Sequence, residues 1–155
     1  MTGNQISAEL HHSEALKFNV KLDRRTIQLD SSEEMGQAFT PMELFLVALA
    51  GCTAMDVHWI LGRQRHKVDK FDMTVSGIRR ADDPKYYESI DIRYTFSGQD
   101  LRKDAVERAI RLSQEEYCSV RAMVKDSVKL NITYTISNGN EPAQEYTFNS
   151  TSTNE

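Results

Sequence analysis

The sequence holds only two cysteines, Cys52 and Cys118, 66 positions apart. Two are too few for the disulfide framework of a small secreted domain, and a thiol pair fits a reducing compartment. Basic excess is missing as well. At a net charge of −4 the chain lacks the electrostatic footprint of a nucleic-acid binder, and no polybasic cluster suggests an anionic membrane surface. The opening MTGNQISAELHHSE carries neither the charged nor the apolar region of a secretory signal, so a cytoplasmic protein is expected. A membrane span would need about 20 consecutive apolar residues, and Glu43, Asp56 and His58 interrupt the one stretch that approaches this. There are no internal repeats, and no linker interrupts residues 1–136.

What is present is enough apolar material for a core. A chain of 155 residues with 39% hydrophobic content is expected to form one domain over residues 1–136, followed by a loosely held polar tail at 137–155. The organising stretch is TPMELFLVALAGCTAMDVHWILGRQRHK, residues 40–67. Thr40 suits an N-cap, Pro41 the first helical position, and Glu43 the carboxylate position of a capping box. Apolar residues then occupy nearly every face from Leu44 to Leu61, which marks a buried core helix.

Strands are expected at residues 6–12, 16–22 and 26–29, with a polar loop at 31–39 leading into the helix. Beyond the helix, residues 71–78 and 90–96 alternate apolar with polar and read as a hairpin. Leu101, Ala105, Val106, Ala109, Ile110 and Leu112 follow helical spacing, so an amphipathic helix is expected at 101–114. A short helix at 119–126 and a last strand at 128–136 complete the order. Strands, helix, strands, helices and strand without regular βαβ alternation indicate an α+β fold, with antiparallel strands around a long buried central helix.

The two cysteines sit in contrasting surroundings. Cys118 precedes a helix start, where free N–H groups and the dipole lower a thiol pKa. Cys52 lies mid-helix among apolar residues, and Asp56, one turn on, opposes thiolate formation if it shares that face. Two readings follow from the chemistry: small buried hydrophobes, or a redox pair. Arg121, three residues after Cys118, can reach back along its helix. His11 and His12 point to opposite sides of a strand, and His58 and His66 lack partners at ligand spacing, so no metal and no cofactor is expected.

The segments SSEEMGQAFTPMELFLVALAGCTAMDV and RLSQEEYCSVRAMVKDSVKLNITYTI resemble the two cysteine-bearing motifs of the OsmC/Ohr family, that of osmotically inducible protein C and the organic hydroperoxide resistance proteins. The likeness runs from about Glu14 to Ile136. Thr40-Pro41-Met42-Glu43 and Tyr117-Cys118-Ser119-Val120 are similar to the YhfA-like branch. The resemblance implies an intertwined homodimer in which Cys52 attacks an organic hydroperoxide and Cys118 resolves the sulfenic acid as a disulfide, reducible by a dithiol. It also implies an arginine and a glutamate beside the first cysteine. Met42 occupies the glutamate position, with Glu43 one residue on. The arginine position, near Glu14 to Lys17, leaves Lys17, Arg24 and Arg25 as candidate substitutes. The alternative within the same family is a non-enzymatic dimer with buried thiols. It would bind a small hydrophobic ligand against Met42, Phe45, Met55 and Trp59.

Overall fold

The computed structural model describes residues 5–32, 36 and 38–149. The chain divides into two compact units, Met1–Phe45 and Leu46–Glu155. The first unit is an antiparallel meander of β1 (Glu9–Glu14), β2 (Lys17–Leu22) and β3 (Arg25–Asp30). Its turns place Ala15 and Asp23 at positive φ, a region that Asp tolerates better than most residues. The first strand begins at Glu9 rather than at residue 6. Of the expected loop at 31–39, residues 33–35 and 37 lie outside the described residues.

Helix α1 runs Pro41–Arg63 and starts as its sequence dictates. The Thr40 amide donates to Glu43 Oε2 at 2.7 Å, and the Glu43 amide donates to Thr40 Oγ1 at 3.2 Å. This reciprocal capping box satisfies backbone donors that the first turn leaves unpaired. It also holds the Glu43 carboxyl below the usual carboxylate range.

In the second unit, β4 (Val68–Arg79) and β5 (Tyr87–Gly98) form a long antiparallel hairpin. Ile90, Ile92, Tyr94 and Phe96 are buried at every second position of β5, the period expected of a strand with one face on a core. Phe71, Tyr94 and Phe96 stack on one another with ring centroids 4.7–6.2 Å apart. Helix α1 lies against this face. Thr53 Oγ1 contacts Met73 Sδ at 3.7 Å, His58 stacks on Phe71, and Leu49, Thr53, Val57, Ile60 and Leu61 are buried at helical spacing. Each such aliphatic side chain contributes roughly 1.5–3 kcal/mol over an exposed one.

After β5 come α2 (Lys103–Leu112), a single π-helical turn at Ser113–Tyr117, and α3 (Ser119–Ala122), then β6 (Lys129–Asn138) and β7 (Gln144–Phe148). Helix α2 buries Ala105, Val106, Ala109 and Ile110 on the face its sequence marks out. The four-stranded sheet has the order β4-β5-β6-β7.

The structure departs from the sequence reading in three further places. The β5–β6 pairing is parallel rather than antiparallel, because α2 and α3 carry the chain back to the starting edge of the sheet before β6 begins. The stretch read as a loose tail contains β7, paired antiparallel with β6 from Ile132↔Phe148 to Ile136↔Gln144, with Tyr146 stacked on Tyr134. The rest of that tail, from residue 150 on, lies outside the described residues. Finally, α1 is long and apolar enough by length and composition to cross a membrane. Within the fold it is instead a core helix buried along one stripe. On its other side Val47, Met55 and Trp59 stand 53%, 74% and 56% exposed.

Candidate functional site

Both cysteines lie in the second unit, and the fold brings them together. The Cys52 and Cys118 sulfurs and a carboxylate oxygen of Asp56 all lie within 4.8 Å of one another. Cys52 and Asp56 are four residues apart on α1, so they share one face of the helix. Cys118 arrives from the other side of the chain, at the N-cap of α3. Its position depends on the π-helical turn. The Cys118 amide donates to the Ser113 carbonyl at 3.0 Å, an i→i+5 bond, while the Ser113 hydroxyl donates to Asp56 Oδ2 at 3.2 Å. One turn of widened helix thus ties Cys118 through Ser113 to the helix that carries Cys52. Such π-turns are frequently found at functional sites.

The two thiols are not equivalent. Cys118 is buried and Cys52 is half-buried, so the first cysteine is the one open to a solute. The Arg121 amide donates to Cys118 Sγ at 3.3 Å, the helix-start contact expected to lower its pKa. The net direction is the opposite. Burial, the neighbouring Cys52 sulfur and the Asp56 carboxylate together push the Cys118 thiol up to about 12. The single amide bond cannot offset the loss of water around a sulfur that would become an anion beside another anion. Asp56 itself has its carboxyl raised by burial, against the opposing Ser113 bond.

A polar fringe surrounds the cluster. Thr53 is fully buried and donates to the Leu49 carbonyl at 2.9 Å. Gln114 Nε2 donates to the Tyr94 hydroxyl at 3.4 Å. Burial pushes the Tyr94 phenol up to about 12, so it remains a neutral donor at physiological pH.

The remaining candidates have contacts of their own. Glu43 is occupied by the capping box. Lys17, on β2, pairs with Glu14 at 2.9 Å, while Arg24 occupies the β2–β3 turn and Arg25 opens β3, both exposed. Arg121 meets Cys118 through its backbone amide. Among the described residues, a carboxylate, that of Asp56, lies with the two sulfurs. Asp56 could be anticipated from its i+4 spacing to Cys52. Ser113 had no such signal, because its approach depends on a helical irregularity that apolar periodicity does not encode.

Residues 34–133 match the model of the OsmC-like protein family. The chain is 36% identical over 100 residues to Protein YhfA of Escherichia coli K12, covering 64% of this chain and 75% of that protein. Among solved structures, a hypothetical protein from Aquifex aeolicus VF5 aligns with a TM-score of 0.78 and 34% identity, covering 88% of this chain and 99% of that one. An organic hydroperoxide resistance protein OsmC from Legionella pneumophila shares the fold, with a TM-score of 0.68 at 17% identity over 88% of this chain and 99% of that one. From the fold, the paired cysteines and these matches, the chain belongs to the OsmC-like protein family.

Proposed function

We propose that the protein reduces small organic hydroperoxides through Cys52 and Cys118, as a cytoplasmic homodimer. The observation that carries this reading is the approach of an accessible and a buried sulfur to within 4.8 Å. In the first step the Cys52 thiolate attacks the terminal oxygen of the hydroperoxide. The O–O bond breaks, the alkoxide leaves as alcohol after protonation, and Cys52 becomes a sulfenic acid. In the second step Cys118 attacks the Cys52 sulfur, hydroxide departs as water, and a disulfide forms. Cys118 must lose its proton for that attack, and Asp56, whose carboxyl already holds protons more tightly than usual, is placed to accept it. A dithiol then restores both thiols by exchange.

The homodimer is part of the proposal because Val47, Met55 and Trp59 form an uncovered apolar side on a helix apolar all round. The same exposed side favours a second reading, a dimer that binds a small hydrophobic ligand and keeps its thiols reduced. The two separate in one experiment. Stoichiometric organic hydroperoxide followed by mass spectrometry should show loss of two protons and a Cys52–Cys118 link. Cys118→Ser should instead trap an oxidised Cys52. Thiols that stay reduced throughout would sink the peroxidase reading and leave the binding one.

A further inference from the structure

We infer that the reduced pair is also a metal site, in which Cys52 Sγ, Cys118 Sγ and an Asp56 carboxylate oxygen bind one zinc ion. The inference uses the same thiols as the proposed peroxidase but does not rest on their oxidation. The three ligand atoms already lie within 4.8 Å of one another. Tetrahedral zinc, with Zn–S near 2.3 Å and Zn–O near 2.0–2.2 Å, places its ligand atoms about 3.5–3.8 Å apart. Small side-chain rotations close the remaining gap.

Two of the ligands come from one helix face at i and i+4, a spacing that presents them side by side. The third comes from the N-cap of α3. The supporting contacts have the form that orients metal ligands. The Ser113 hydroxyl donates to Asp56 Oδ2, and the Arg121 amide donates to Cys118 Sγ.

Charge favours a cation here. Two sulfur donors and a carboxylate converge within one small region. Donor chemistry selects the ion. Thiolates exclude magnesium and calcium, which take oxygen ligands, while mixed sulfur and carboxylate donors suit zinc. Three protein ligands leave a fourth position for water, and half-buried Cys52 provides the way in. The sequence argues against a metal only through its histidines; the thiol–carboxylate cluster exists only in the tertiary structure.

The test uses the full chain, reduced and stripped with chelator, then titrated with Zn²⁺ against a colorimetric competitor. One ion per chain is expected. Cys52→Ser and Cys118→Ser should each abolish stoichiometric binding, and Asp56→Ala should weaken it. Ser113→Ala, which removes an orienting contact, should weaken binding by roughly tenfold. X-ray absorption of the zinc-loaded natural protein should show two sulfur neighbours at about 2.3 Å and lighter atoms besides. That measurement needs no variant, so a variant that fails to fold does not spoil the test. Oxidation to the disulfide should release the ion. Absence of a stoichiometric ion, a spectrum without sulfur, or binding unchanged in Asp56→Ala would overturn the site as assigned. These results differ from a failed peroxidase, which shows as thiols that bind zinc but do not react with hydroperoxide.

Discussion

Linking Cys52 to Cys118 should stabilise the protein by an amount that follows from the chain itself. The two residues are 66 positions apart. Closing a loop of that length in the unfolded chain removes entropy worth about 4 kcal/mol. Native strain subtracts from this. The sulfurs, now within 4.8 Å, must come to a bond of about 2.0 Å. Part of that movement can come from side-chain rotation, because Cys52 is only half-buried. A net gain of about 2–4 kcal/mol is expected, or roughly 5–15 °C in Tm for a chain of this size. The assay is thermal and urea unfolding of oxidised and dithiothreitol-reduced protein at one fixed concentration, since the stability of the proposed dimer would depend on concentration. The urea m value should fall together with the rise in stability, because a cross-linked unfolded chain is more compact. Cys118→Ser should show no difference between the two conditions. A linked protein no more stable than the reduced one would mean that the fold does not hold these sulfurs in bonding register.

Three other outcomes can be checked. Gly77→Ala should destabilise by about 1–3 kcal/mol in urea unfolding, because the added Cβ would sit 2.5 Å from Cδ1 of the buried Tyr87. Glu43→Gln should be less stable than the natural protein at pH 7. The folded Glu43 pKa lies below its ordinary value of 4.5, so its contribution is present above that value and is lost as pH falls through the lower folded pKa. The two unfolding curves should therefore converge in acid and separate towards neutral pH. Met55→Asp should shift sedimentation from dimer to monomer, as a charge replaces an exposed apolar side chain on α1; an unchanged dimer would place the contact elsewhere.

Much of the fold is written in local pattern. The Thr40, Pro41 and Glu43 start of α1 was legible because capping is a contact over three residues. The β4–β5 hairpin and the buried face of α2 were legible because burial on one side imposes periods of 2 and 3.6 on the sequence. Strand β7 was not legible. An edge strand with mostly polar side chains carries little of that signal, and its backbone bonds to β6 come from a distant neighbour.

The candidate site divides along the same line. The sequence alone determined the two cysteines, their motifs and the four-residue spacing of Cys52 and Asp56, all of which are read along the chain. Only the tertiary structure decided that Cys118 meets that face and that Ser113 orients Asp56 through a π-helical turn. It alone decided that burial outweighs the helix-start amide at Cys118. Each of these depends on water excluded and chain reversed between residues dozens of positions apart, and no local periodicity records such events.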